Sequence, residues 1–245
     1  MQERIKILDI WVDPVDRERA VDRVRSFLNG KRPCSIFAVN PEKNFSVPND
    51  PELYSVFKNA DLLIPDGIGI VLAAKLLHGA HLRRVPGVEF MKDLCRLAEK
   101  EQQSVFVYGA GEAVSETAVK MLQREYPGLR IAGRSNGYVP QADMPELIKR
   151  INNSGATILF LALGSPRQER WYATHASELS HVRVCQGIGG TLDTIAGTVK
   201  RAPAIWQRFS LEWLYRLLSE PKRIRRQRVL PVFAYRVIVT MARLI

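Results

Sequence analysis

The chain alternates short runs of β-branched and aromatic residues with longer stretches whose apolar positions recur at helical spacing. The apolar runs at 35–39, 61–64, 105–108, 157–163 and 182–185 predict strands. The amphipathic segments 17–27, 69–77, 88–99, 113–124, 144–152 and 166–178, rich in Ala, Leu, Glu and Lys, predict helices. Strands separated by helical stretches of this length favour a parallel sheet covered on both faces. The class expected is therefore α/β, a Rossmann-like parallel sheet flanked by helices.

Beyond residue 199 the pattern changes to an Arg-rich helical stretch, a break at Pro221, a basic cluster, a second break at Pro231 and an apolar end. Residues 1–199 are expected to form the α/β domain, and residues 200–245 a basic, amphipathic, helical appendage. In the last segment Arg236, Thr240 and Arg243 fall on one stripe of a helix whose other positions are apolar. Such a helix is too short to span a bilayer. It could lie in the membrane interface with its guanidinium groups at the headgroups, or dock on the domain's own core.

Charge sharpens this division. Of the formal net charge of +11, residues 200–245 carry +9, eleven basic side chains against Glu212 and Glu220, which leaves +2 for the rest. A local basic segment on a near-neutral domain implies a local anionic partner: phospholipid headgroups, a diphosphate or nucleic acid. Cys34, Cys95 and Cys185 are far apart and set among apolar residues, which reads as buried free thiols and a reducing compartment. The opening MQERIKILDI lacks the apolar core of a signal peptide, and no apolar run reaches the length of a bilayer-spanning helix. The expected place is the cytoplasm.

Candidate chemistry lies where strands run into turns, since open α/β sheets bind ligands outside the carboxyl ends of their strands. The run ending at Ile64 meets Pro65-Asp66-Gly67, that ending at Tyr108 meets Gly109-Ala110-Gly111-Glu112, and that ending at Leu163 meets Gly164-Ser165-Pro166-Arg167-Gln168-Glu169. Gly109-Ala110-Gly111 has the shape of a phosphate loop, but Val114 stands where a dinucleotide fingerprint has its third glycine, which favours a nucleotide over NAD, or a plain tight turn. Asp66, at a strand terminus, could take a proton from a sugar hydroxyl as general base, although Asp-Gly is also an ordinary turn. There is no Asp-x-Asp, His-x-x-x-His or Cys-x-x-Cys, so no metal and no cofactor are expected. A departing diphosphate would then need arginines, lysines or helix N-termini. A nucleic-acid-binding reading would use the basic tail with Trp206, Trp213 and Tyr215 as stacking platforms. Their spacing with Leu211, Leu214 and Leu218 fits packing residues better, so no nucleic-acid partner is expected.

Taken together the motifs resemble the WecG/TagA/CpsF family of bacterial glycosyltransferases. The matching stretches are Asn40-Pro41-Glu42, residues 60–69 (ADLLIPDGIG), Arg84-Val85-Pro86-Gly87, residues 163–169 (LGSPRQE), residues 187–193 (GIGGTLD), residues 197–203 (GTVKRAP), and Glu212-Trp213-Leu214-Tyr215-Arg216 with Glu220-Pro221-Lys222-Arg223. They run in order along the chain from about residue 5 to 230, and their joint occurrence is highly specific.

The resemblance implies an inverting, metal-independent enzyme that moves a sugar, in the best-known branch N-acetylmannosamine, from a UDP donor to an undecaprenyl-diphosphate-linked GlcNAc acceptor. Residues 1–199 would be its catalytic domain. Teichoic-acid linkage units, common antigen and exopolysaccharides are all built by the family, so UDP-glucose and UDP-ManNAcA stay open as donors. Asp66 matches the family's general base, and Arg84 and Gln168 match residues lining the same pocket. Asn40, Gly109, Gly111, Asn136, Gly137, Gly164 and Asp193 match substrate contacts. Arg216, Arg223 and Arg226 match arginines that would engage the diphosphate from an appendage closing at the membrane. The enzyme would thus work peripherally on the inner face of the cell membrane, against an anionic lipid surface, and a homo-oligomer stays open. One departure is Ala38, where family members often carry Thr, so the hydroxyl contact that the family implies near the acceptor is missing.

Overall fold

The computed structural model describes residues 3–200, 202–208, 211–219 and 224–243. A hairpin, β1 (Ile5–Ile7) and β2 (Ile10–Val12), precedes α1 (Arg17–Leu28) and β3 (Cys34–Val39). There follow α2 (Lys43–Ser46), α3 (Pro51–Asn59), β4 (Leu62–Pro65), α4 (Ile68–His78), α5 (Gly87–Lys100), β5 (Ser104–Gly109), α6 (Glu112–Glu125) and β6 (Arg130–Ser135). The domain continues with α7 (Met144–Asn153), β7 (Ile158–Ala162), α8 (Arg167–His175), β8 (Val184–Gly187) and α9 (Thr191–Ile195). The C-terminal segment holds α10 (Ala204–Arg208), α11 (Glu212–Ser219), α12 (Ile224–Gln227) and α13 (Val229–Ala242).

Six strands form one sheet in the order β4-β3-β8-β7-β5-β6, and every pairing is parallel, as expected from the alternation of strands and helices. Successive strand side chains point to opposite faces. Ile36, Leu62, Ile64, Val105, Val107, Ile158, Phe160 and Val184 therefore share a core with residues of α1, α5 and α6. On the opposite face Phe37, Val39 and Leu63 meet the hairpin, α3 and α4, and Phe106, Tyr108, Leu159, Leu161 and Cys185 meet α7 and α8. The three cysteines are buried and free.

The expected elements are present with shifted ends. The run 182–185 becomes Val184–Gly187, because pairing with β7 extends to Leu161 opposite Gly187. Asp61, expected within a strand, lies before β4, where its carboxylate accepts the Ser35 N–H (2.9 Å) and pairs with Arg32. The helix expected over 166–178 stops at His175 and ends in a 3₁₀ turn. The hairpin, α2, α3 and α9 have no counterpart among the expected elements, and β6 is an edge strand with only Ile131 and Ala132 as an apolar run.

In the C-terminal segment the break expected at Pro231 is absent. Helix α13 starts at Val229, so Pro231 stands in its first turn, where the missing N–H breaks no helical bond. This helix docks on the domain: Phe233 and Val237 are buried in the same cluster as Ile70, Ala73 and Ala74 of α4, and Arg236 pairs with Asp9 at 2.7 Å. Docking uses one face, and Val232, Tyr235 and Ile238 stay exposed, as do Leu72 and Leu76 of α4. No helix among the described residues is long and apolar enough to cross a membrane.

Candidate active site

Because the sheet is parallel, its six carboxyl ends share one edge, and residues picked from the sequence follow each of them. Asn40 comes after β3, Asp66 after β4, Gly109 and Gly111 at the end of β5, Asn136 and Gly137 after β6, Gly164 and Gln168 after β7, and Asp193 after β8.

The first group gathers at β3 and β4. The Asp66 and Gly67 N–H groups both donate to Val39 O (3.0 and 3.4 Å). A side chain at Gly67 would meet Pro41 Cδ at 2.8 Å and Asn40 Cβ at 3.3 Å, so the turn closes onto Asn40 only with glycine there. The chain returns from α4 through Val85, whose N–H donates to Pro65 O at 2.7 Å, and this tether brings Arg84 to Asp66. Arg84 Nε donates to Asp66 O at 2.6 Å, and the guanidinium lies 4.0 Å from Asp66 Oδ1. The same guanidinium pairs at 2.6 Å with Glu212 of α11. The Asp66 side chain is 31% exposed.

A second group forms where the chain leaves β5 toward β6 on one side and β7 toward β8 on the other, the reversal that opens a crevice in such sheets. Gly109 (φ 134°) lies so close to Ala162 that a Cβ would stand 2.4 Å from its carbonyl. The Ala110 N–H donates to Ala162 O (3.0 Å) and the Gly137 N–H to Ala110 O (2.8 Å), which joins the ends of β5, β6 and β7. Arg167 Nη2 donates to Gly137 O at 3.1 Å. Glu112, at the first position of α6, accepts from Arg134 (2.5 Å) and Asn136 Nδ2 (2.8 Å), and these bonds hold its carboxyl below the usual range.

Gln168 occupies the middle. Its Oε1 accepts the Gly189 N–H at 2.9 Å, its backbone N–H donates to Gly164 O at 3.0 Å, and its amide rests on Gly187, where a Cβ would stand 2.5 Å from Nε2. Asp193 sits in the first turn of α9, its carbonyl accepting from Thr198 Oγ1 at 3.0 Å and the Val199 N–H at 3.1 Å. Arg223 lies outside the described residues, and so do the side chains of Arg216 and Arg226. Trp206 and Tyr215 pack ring on ring at 5.7 Å. Among the described residues no group of three or more His, Cys, Asp or Glu is placed to hold a metal ion.

Two features escaped sequence reasoning. One is the contact of Glu212, which counted there only as a charge in a motif. The other is the buried pair of Lys43 and Glu169, 8% and 1% exposed, joined at 2.8 Å. Both glutamates lie inside motif stretches, so position within a motif was the available signal.

A six-stranded parallel sheet covered by helices on both faces, with small-residue turns along its carboxyl edge, defines a Rossmann-like α/β fold. The sequence model described as "Glycosyl transferase WecG/TagA/CpsF family" matches residues 5–244. Curated relatives named N-acetylglucosaminyldiphosphoundecaprenol N-acetyl-beta-D-mannosaminyltransferase align over most of the chain. The Bacillus spizizenii protein is 36% identical over 208 residues, covering 85% of this chain and 80% of the relative. That of Bacillus subtilis (strain 168) is 34% identical, covering 87% and 82%, and that of Staphylococcus aureus (strain MRSA252) is 32% identical, covering 96% and 92%. The chain belongs to the WecG/TagA/CpsF family and is a glycosyltransferase.

Proposed function

We propose that the protein transfers N-acetylmannosamine from a UDP donor to GlcNAc carried on undecaprenyl diphosphate, by a single inverting displacement without a metal ion. The carrying observation is the pair of Asp66 and Arg84 at the mouth of β4, within a chain whose likeness to the named transferases runs nearly end to end. Asp66 accepts the proton of the acceptor hydroxyl as its oxygen bonds to the anomeric carbon. The bond from that carbon to the UDP oxygen breaks on the opposite face, and UDP leaves with the electron pair. General-base help of this kind is worth about 10²–10⁴ in rate. Arg84, with Arg216, Arg223 and Arg226, balances the diphosphate charge. Donor UDP belongs at the β5–β7 reversal of the sheet, beside the small-residue turn Gly109-Ala110-Gly111 that leads into α6. Gln168 and Asp193 border the sugar between the two halves.

The protein works at the inner face of the membrane as a peripheral enzyme. The +9 segment and the exposed apolar side chains of α4 and α13 support that placement. The test is a donor screen with purified enzyme and a short-chain lipid-diphosphate-GlcNAc acceptor. UDP-ManNAc should be the best donor and the product β-linked. Preference for UDP-glucose or UDP-ManNAcA would overturn the donor, and an α-linked product the inverting step.

A further inference from the structure

The Lys43–Glu169 pair sits among the residues assigned above but has no role in that chemistry, and its placement is costly. Lys43 Nζ donates to Glu169 Oε1 at 2.8 Å and lies 4.9 Å from the centre of the Phe57 ring. It also donates to Ser165 Oγ. Both charged side chains are almost fully buried, and Glu169 Oε2 has no hydrogen-bond partner among the described residues. Removing charges from water costs several kcal/mol per ion, and the mutual attraction often does no more than offset it. As a source of stability alone the pair is a poor choice.

Its geometry suggests another use. Lys43 begins α2, just past Asn40, and its backbone N–H donates to Asn40 O (3.0 Å) and to Asn40 Oδ1 (3.3 Å). Glu169 neighbours Gln168 on α8 and receives a long 3.5 Å contact from its Nε2. The strands that lead into these segments, β3 and β7, are not neighbours, because β8 lies between them. They stand two strand spacings apart, roughly 9–10 Å. The pair reaches across the end of β8, which finishes in Gly187, where a side chain would collide with Gln168. It joins the turn holding Asn40 to the first turn of α8, which holds Gln168.

We infer that Lys43 and Glu169 are positioning residues, a buried ionic bridge over β8 that holds the Asn40 turn and the first turn of α8 at the spacing needed for transfer. The inference rests on the placement of Asn40 and Gln168 in the substrate pocket. Misplacing a reacting group by about 1 Å costs on the order of 10²-fold in rate, so a loosened bridge should lower kcat.

The decisive variant is Lys43→Met/Glu169→Leu, which replaces both charges by apolar groups and leaves neither charge unpaired. Melting temperature, kcat and KM for UDP-ManNAc, and amide exchange of residues 38–46 and 162–170 are measured on the full chain. The expected result is a melting temperature near wild type, faster exchange in both segments, and kcat lowered about 10- to 100-fold. Wild-type kcat or wild-type exchange in the folded double variant would overturn the inference. If the double variant does not fold, Glu169→Asp decides: it keeps both charges but shortens the bridge by one methylene, and it should lower kcat and speed exchange in both segments; unchanged kcat and exchange reject the bridge. Failure of the donor assignment is distinguishable: wild type would then show no turnover with UDP-ManNAc, while the exchange of the two segments would still test the bridge.

Discussion

The Arg84 guanidinium lies 2.6 Å from Glu212 and 4.0 Å from the Asp66 carboxylate, so two acids contributed by distant parts of the chain share one cation. Glu212 holds the closer contact and, at 14% exposure, is poorly screened by solvent. Through Arg84 Nε, which donates to Asp66 O, helix α11 is coupled to the turn that carries the proposed base. Glu212→Gln keeps the shape and removes the charge. A hydrogen bond to a charged group contributes about 1.5–3 kcal/mol to stability, so the melting temperature should fall by roughly 3–12 °C, and release of Arg84 should lower kcat/KM roughly 10- to 100-fold. Glu212→Asp should recover part of the loss. Equal kinetics for wild type and Glu212→Gln would show that the contact does not serve transfer.

Asp66→Asn separates chemistry from binding. The amide cannot take the acceptor proton, so kcat should drop by about 10²–10⁴. Calorimetric affinity for UDP should stay near wild type, because the proposed nucleotide crevice lies at β5 and β7. Chelation with EDTA should leave wild-type turnover unchanged. Full activity in the variant would remove the base, and loss of activity on chelation would reject the metal-free step.

How much of this was legible in the sequence depends on where each residue's information sits. Asp66, Gly109, Gly164 and Gln168 lie where an apolar run gives way to turn residues, a local signal, and each stands at the carboxyl edge of the sheet. Strand order is not local, so nothing in the spacing placed β8 between β3 and β7 or brought Lys43 to Glu169. A lysine and a glutamate in polar stretches read as solvated charges, and their burial is conferred by the partner segment. The hairpin strands span 3 residues each and α2 spans 4, too short for periodicity to register. Strand β6 has only Ile131 and Ala132 as an apolar run, too short to stand out by periodicity, and its Gly133 lies so close to the Phe106 ring that a Cβ would meet it at 2.6 Å. Pro231 misled as a break, since proline at the start of a helix and proline inside one look alike until the helix start is known.

The thiols give a prediction in pH. Burial pushes Cys95 from its ordinary value of 9.0 up to about 12, and burial raises Cys185 as well. A group whose pKa is raised by folding favours the folded state while both states are protonated, below pH 9.0 here, and that contribution is lost as pH climbs toward about 12. The melting temperature should therefore fall progressively above pH 9.0. The same burial should leave Cys95 and Cys185 unmodified by iodoacetamide at about pH 8 in the native protein, with all three cysteines modified after denaturation, as read by peptide mass spectrometry. Rapid native alkylation of Cys95 would contradict its burial.

The membrane assignment has its own test, because α13 divides its apolar residues between two environments. Phe233 and Val237 turn into the domain, while Val232, Tyr235 and Ile238 are exposed. Helix α4, against which α13 packs, adds the exposed Leu72 and Leu76. Apolar side chains on two adjoining helices beside a strongly basic segment suit the boundary between headgroups and acyl chains, where apolar burial and attraction to anionic lipid act together. Burying a leucine or isoleucine side chain is worth about 1.5–3 kcal/mol, so Leu76→Glu or Ile238→Glu should weaken binding to phosphatidylglycerol vesicles about 10- to 100-fold. Neither change touches the buried face, so the melting temperature should hold. Raising salt should weaken wild-type binding without abolishing it, since screening removes the charge contribution and leaves the apolar one. Vesicle binding unaffected by both substitutions would move the membrane contact elsewhere on the molecule, and absence of binding by wild type would reject the peripheral placement.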